Sequence, residues 1–351
     1  MNTDFLEKIK PFKPETEVPL APFTTWKIGG PAEFFIKADD TATLKQAAAI
    51  AFKAGIPLTV LGWGSNVLIS DRGIKGLVIR NSSSNITVNG KCDAEPPKAK
   101  STARLEQVDT NNYYSFSELD YDETGYEKVS VTVDSGVNLP FLINDLNSRG
   151  VTGLQWFSGI PGTIGGAVFN NIHGGSHFME EYIDEAEVLT QDGQVKTISH
   201  EQMNFDYDYS RFHNSGEVIL TVKLCLYKGD EEKAKKASVL WATKKKLQPH
   251  NTAGCCFQNV LPAEQKKLKL ASNSWGFIID KILGLKGKRI GGAEISPKHA
   301  AFIENRGGAT AADVLGLFEL IYSSAKEKLG ITPKPELIFL GFEKKEIERF
   351  L

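Results

Sequence analysis

A chain of 351 residues, 41% hydrophobic and 24% charged, has the composition of a globular protein with room for two or three domains. Its 41 Lys and Arg against 43 Asp and Glu leave a formal net charge of −2, which argues against the strongly basic face of a dedicated nucleic-acid binder. No apolar run approaches the roughly 18 residues of a membrane span, and Met1-Asn2-Thr3-Asp4-Phe5 lacks an apolar signal core, so a cytoplasmic protein is expected.

The first two dozen residues, with Pro11, Pro14, Pro19 and Pro22, read as an irregular arm. Phe34-Phe35-Ile36 is a short strand after the Gly29-Gly30-Pro31 turn. Thr43-Leu44-Lys45-Gln46 opens a helix in capping-box form, and the alanine-rich stretch runs to Gly55, a natural stop. Leu58–Leu61, Val67–Ser70 and Gly76–Arg80 are strands, with Gly62-Trp63-Gly64-Ser65-Asn66 looping between the first two. Residues 81 to about 127 are polar, with only Tyr113, Tyr114 and Phe116 to offer core. They read as a surface insertion, partly disordered and dispensable for chemistry.

Strand alternation returns at Val129, Val131 and Val133. Leu139–Arg149 is an amphipathic helix stopped by Gly150. Asp192-Gly193 joins Glu187–Thr190 and Gln194–Ile198 as a two-residue hairpin, and Glu217–Tyr227 is a long strand. Asp230–Leu247 is a charged helix whose Lys244-Lys245-Lys246 run reads as a solvated end. Trp275–Leu283 and Ala311–Leu329 are further helices, the second with Val314, Leu315, Phe318, Ile321, Tyr322, Ala325 and Leu329 on one face. Glu336–Phe342 is a last strand. The fold class expected is α+β, with a β-rich domain over 20–228 and a smaller α+β domain over 229–351.

The four cysteines, Cys92, Cys225, Cys255 and Cys256, are too few to staple a chain of this length, and each is expected to be a small buried thiol. Six scattered histidines form no His-x-x-x-His pair, so no protein metal site is expected.

Two glycine-rich loops carry the chemistry. Gly62-Trp63-Gly64-Ser65-Asn66 lies between strands and lacks the third glycine of a dinucleotide fingerprint, and no Walker A sequence exists. It still exposes several backbone N–H groups, as a pyrophosphate nest does. In Ser158-Gly159-Ile160-Pro161-Gly162-Thr163-Ile164-Gly165-Gly166-Ala167, four glycines among apolar residues let backbone approach a large flat group, such as a flavin or its diphosphate.

With Thr24–Ala32, Leu61–Asp71 and Gly159–Ala167, the chain resembles the UDP-N-acetylenolpyruvoylglucosamine reductase (MurB) family. The likeness continues through Gly254–Asn259, Arg289–Ser296, Lys298–Asn305 and Pro333–Glu336, seven segments in the family's order over about 24–342. The resemblance implies a split FAD-binding domain of the vanillyl-alcohol-oxidase (PCMH) type and a C-terminal domain that closes over a nucleotide-sugar substrate. It implies FAD and NADPH as cofactors in peptidoglycan precursor synthesis: UDP-N-acetylglucosamine enolpyruvate receives hydride at its vinyl carbon and a proton from a protein acid at the neighbouring carbon. Gly62, Trp63, Gly64, Ser65, Asn66, Gly159, Ile160, Pro161, Gly162, Thr163, Gly165 and Gly166 are then cofactor-binding, and Gln258, Asn259 and His299 substrate-binding. A monomer or weak oligomer is expected.

Three catalytic positions carry over. Glu336 matches the family's carboxylate. Cys255, in Gly254-Cys255-Cys256-Phe257, stands where the family has a proton-donating Ser, and Cys256 should face the other way. In Tyr207-Asp208-Tyr209-Ser210-Arg211-Phe212, Asp208 occupies the place of a family Arg. A cation beside a carboxylate gains about 4 kcal/mol at 4 Å in an effective dielectric of 20, and an anion loses as much. Arg211 is the nearest replacement, though three residues along a strand it faces the other side. His173 also alters the small-residue segment near the expected flavin face. Two alternatives stay open: a flavoenzyme of this fold with another substrate, and a flavin-binding homologue that has lost catalysis.

Overall fold

The computed structural model describes residues 3–94 and 121–351, and Tyr113, Tyr114 and Phe116 lie outside them. The chain divides into two compact units, each assembled from separate stretches. The first takes Met1–Glu15, Phe35–Trp63 and Gly76–Lys246; the second takes Thr16–Phe34, Gly64–Lys75 and Leu247–Leu351.

An antiparallel five-stranded sheet frames the first unit, in the order Val195–Ser199, Ile183–Leu189, Val218–Tyr227, Lys128–Asp134, Ile86–Lys91. The Val218–Tyr227 strand is central, Val222 pairing with Ala186 on one side and Val133 on the other, and its apolar residues are buried on both faces. Helix Leu139–Ser148 packs Leu139, Leu142, Ile143 and Leu146 into the same core. Its N-cap Asn138 accepts the Phe141 N–H. Leu58–Leu61 pairs in parallel with Ile74–Asn81. Helix Glu231–Lys246 buries Ala234, Ala237, Ser238 and Trp241, one face at helical spacing.

Several expectations need correction. The irregular arm contains helix Thr3–Ile9 and strand Glu15–Pro19. The helix before Gly55 starts at Thr41, because the Asp40 carboxylate accepts the Thr43 N–H at 2.6 Å and outcompetes Thr43 as cap. The expected insertion begins too early, since Ile86–Lys91 is a sheet strand paired with Lys128–Asp134. It also ends too late, since Tyr121 and Glu123 pack into the first unit. Cys92 and Cys225 are not separate thiols. They form a disulfide with Cα atoms 5.8 Å apart, within the normal span. The sheet brings together cysteines 133 positions apart in sequence.

In the second unit a three-stranded antiparallel sheet, Arg289–Ile290, Ala293–Ile295 and Ile303–Asn305, lies with helix Ala311–Leu329 around a core that includes Phe257, Phe318, Tyr322 and Phe350. The helix start is capped by Thr310, and the Asp71 carboxylate accepts the Ala311 and Ala312 N–H groups. Val67–Ile69 pairs in parallel with Ile338–Leu340. The expected Trp275–Leu283 helix begins with one α-turn, Trp275–Phe277, and continues as a π-helix, Ile278–Leu283. Among the described residues, no helix is long and apolar enough to cross a membrane.

Candidate active site

The first unit brings two of the expected segments into contact. A Cβ on Gly62 would stand 2.6 Å from Thr163 Oγ1, so only glycine lets the first loop lie this close to the second. The second loop is held by the end of the sheet: the N–H groups of Ile164 and Gly165 donate to the Val137 and Ser135 carbonyls, and Leu139 N–H donates to Gly162 O. Thr163 caps the short helix Ile164–Phe169 by accepting the Gly166 N–H at 3.3 Å. Gly159 has φ +86°, and its missing side chain lets helix Glu231–Lys246 approach, with Lys245 Cβ 2.8 Å and Ala242 Cα 3.0 Å from where a Cβ would be. The loop Gly159–Gly166 is therefore preorganised. It contains no carboxylate, and the Gly162 and Thr163 N–H groups, which these bonds leave unused, suit an anionic diphosphate together with the Thr163 hydroxyl proton.

Beside this loop sit groups that the sequence reading weighed less. His173 lies between the rings of Phe178 and Tyr207, both centroids 5.5 Å away. A ring nitrogen of His173 and a carboxylate oxygen of Asp208 lie within 4.8 Å of one another. Burial pushes the His173 imidazole down to about 4 and the Lys245 charge adds to this, so the ring is neutral at pH 7. Lys245 is thus a cation of the site, and the reading of its run as a solvated end is corrected for this residue: it is only half-exposed and packs on Gly159.

The segment holding Asp208 is a tight turn instead of a strand. Asp206 and Tyr209 exchange backbone hydrogen bonds, and Asp208 is left-handed at φ +51°. Arg211 follows the turn and faces elsewhere than a strand reading implies. Its guanidinium pairs with Glu217 at 3.1 Å and donates to Gln202 O at 3.2 Å. Its charge is already compensated, so the turn does not offer it as the replacement cation.

In the second unit, Phe257 and Pro335 form an antiparallel bridge. Gln258 N–H donates to Lys334 O, and Glu336 N–H to Cys256 O, both at 2.9 Å. The expected carboxylate and the expected thiol segment are thereby neighbours. Cys256 is buried in the apolar core, and burial raises its thiol to about 12, with Glu336 adding in the same direction. Cys255 is outside any disulfide and partly exposed, the alternation expected of an extended segment. Asn66 Nδ2 donates to Glu336 O at 3.2 Å, and Asn66 O accepts from Ile338 N–H, so part of the first glycine loop, Gly64–Asn66, joins this group. Asn259 follows Gln258 on the same segment and is half-buried. His299 is placed by a turn in which Ser296 Oγ accepts its N–H, and its ring packs closely on Gly276.

Residues 246–340 match the family model of the UDP-N-acetylenolpyruvoylglucosamine reductase C-terminal domain, and residues 108–199 match that of an FAD binding domain. The chain is 32% identical over 333 residues to a UDP-N-acetylenolpyruvoylglucosamine reductase of Lactobacillus delbrueckii subsp. bulgaricus, covering 94% of this chain and 96% of that one. It is 30% identical over 354 residues to the reductase of that name from Lachnoclostridium phytofermentans, covering 97% and 98%. The crystal structure of MurB from Thermus caldophilus superposes with a TM-score of 0.66 at 28% identity, covering 93% of this chain and 98% of that one. With likeness along almost the whole length of both partners, the chain belongs to the UDP-N-acetylenolpyruvoylglucosamine reductase family.

Proposed function

We propose that this chain reduces UDP-N-acetylglucosamine enolpyruvate to UDP-N-acetylmuramate in peptidoglycan precursor synthesis, with Cys255 as the proton donor and Glu336 as the carboxylate that positions the proton step. The enzyme is an FAD-containing, NADPH-dependent oxidoreductase of the UDP-N-acetylmuramate dehydrogenase type. FAD, when bound, supplies the hydride chemistry between NADPH and substrate. The residues of this chain do the rest. Gly62 and Gly159–Gly166 would hold the diphosphate and flavin, a fit supported by a loop free of carboxylates and fixed to the sheet. By likeness to the family, Trp63, Gly64, Ser65 and Asn66 would also bind the cofactor, and Gln258, Asn259 and His299 the nucleotide sugar. The enzyme works in the cytoplasm, as a monomer or weak oligomer.

One observation carries the proton assignment: the Cys256–Glu336 backbone pairing sets Glu336 beside the segment that presents Cys255. A thiol ordinarily titrates near 8.5, so it stays mostly protonated at neutral pH yet gives up a proton more readily than a serine hydroxyl. Cys255→Ala should leave flavin reduction by NADPH nearly intact and slow reoxidation by the enolpyruvyl substrate by about 10²-fold or more. Cys255→Ser should restore part of the rate. Wild-type reoxidation in Cys255→Ala would place the donor elsewhere.

A second reading keeps the flavoenzyme and changes the substrate. It is favoured by Asp208, a buried acidic residue where an anionic substrate needs a cation. Reoxidation of the reduced enzyme by a neutral enol ether, and not by the enolpyruvyl acid, would select it.

A further inference from the structure

The reaction above makes no use of Glu123, which stands just beyond residues 95–120 and is 6% exposed. One of its oxygens accepts the Thr152 hydroxyl at 2.5 Å, and the other accepts the Gln155 amide at 2.6 Å. Gln155 in turn accepts the Gly153 N–H at 2.6 Å and reaches the Tyr121 hydroxyl at 3.2 Å. Thr152 and Gln155 are 1% and 0% exposed. Gly229 roofs the group, since a Cβ there would lie 2.1 Å from Thr152 Oγ1 and 2.8 Å from Glu123 Oε1. A buried carboxylate is costly unless its oxygens are bonded, and these bonds fix where the turn 152–155 sits.

That turn leads directly into the second glycine loop. Phe157 N–H donates to Leu154 O, Ser158 N–H to Gln155 O, and Ile160 N–H to Phe157 O, a continuous ladder that ends beside Gly159. We propose that Glu123 is a positioning residue for the loop Gly159–Gly166, setting its height through Thr152 and Gln155 and so coupling the chain that follows residue 120 to flavin binding. The inference rests on the reading of that loop as the FAD site.

The test is FAD titration of the apoprotein, followed by flavin fluorescence and by the visible circular dichroism of the bound flavin. Glu123→Gln keeps one carbonyl oxygen for the Gln155 amide but sets an amide N–H against the Thr152 hydroxyl, which must turn to accept, and both charge-assisted bonds become neutral ones. FAD affinity should fall about tenfold or more, and the dichroic band should change. The double variant Glu123→Gln/Gln155→Glu exchanges amide and carboxylate across the same contact. The amide then at 123 donates to the carboxylate then at 155, which still accepts the Gly153 N–H, so affinity and band should return to within about threefold of wild type. Should Glu123→Gln not fold, Thr152→Val, which removes one donor, takes its place with the same expected loss. Wild-type affinity and an unchanged band in the single variant, or no rescue in the double, would overturn the proposal. A wild-type protein that takes up no FAD would overturn the FAD reading and this inference with it, before any variant is made.

Discussion

Gly62→Ala places a methyl group 2.6 Å from Thr163 Oγ1 and 3.4 Å from its Cγ2, with Thr163 itself buried. The threonine must rotate or the two loops must part. Overpacking of this kind costs about 1–3 kcal/mol. Rotation also takes Oγ1 away from the Gly166 N–H that it caps, at about 1 kcal/mol more. Gly62→Ala should therefore destabilise the protein by about 2–4 kcal/mol and weaken FAD binding, because both loops move. Thr163→Ala alone should lose only the cap, about 1 kcal/mol. In the double variant the obstruction is gone, so its loss should be close to that of Thr163→Ala alone. The assay is urea denaturation of all four proteins, with FAD affinity alongside. Additivity within about 0.5 kcal/mol would refute the reasoning, since it would mean the two loops do not touch.

The Cys92–Cys225 disulfide closes a loop of 133 residues, and its reduction should cost up to about 5 kcal/mol in the chain-entropy limit. Thiol alkylation of protein handled without reductant should modify no more than Cys255 and Cys256; four modified cysteines, or an unfolding midpoint indifferent to reductant, would contradict it. The Cys256 thiol, raised by burial from 9.0 to about 12, stays protonated in the fold where the unfolded chain ionises. Its contribution is therefore full below about pH 9 and is lost as pH climbs toward 12, by up to about 1.4 kcal/mol per pH unit. Cys256→Ala should flatten the alkaline arm of the stability profile, and an unchanged arm would show that Cys256 is not the cause. Replacing residues 96–119 by a short linker leaves strand Ile86–Lys91, the disulfide and Glu123 in place, and the protein should still bind FAD. Removing 82–125 should abolish binding, and equal flavin content in the two deletions would count against the anchoring role of these residues.

What the sequence made legible was local. Leu58–Leu61 and Ala311–Leu329 have the observed bounds because apolar spacing and a terminal glycine act within a few residues. The glycine loops were legible because close approach of backbone demands glycine at fixed places. Glu123 stayed hidden in a polar stretch, since its partners Thr152 and Gln155 are some 30 positions away and only the fold makes it a buried clamp. The disulfide was hidden for the same reason at a separation of 133. Arg211 was misplaced because a strand was expected where Asp208 turns the chain at φ +51°. Lys245 was hidden in a run whose charges look alike in sequence, and only the packing of its helix on Gly159 separates it from the others.

The most direct measurement is anaerobic stopped-flow spectroscopy of the purified protein loaded with FAD. NADPH should bleach the flavin absorbance, and UDP-N-acetylglucosamine enolpyruvate should restore it within the turnover time, with UDP-N-acetylmuramate appearing in a one-to-one ratio to NADPH consumed. Flavin that is reduced by NADPH but stays reduced in the presence of the enolpyruvyl substrate would contradict the account.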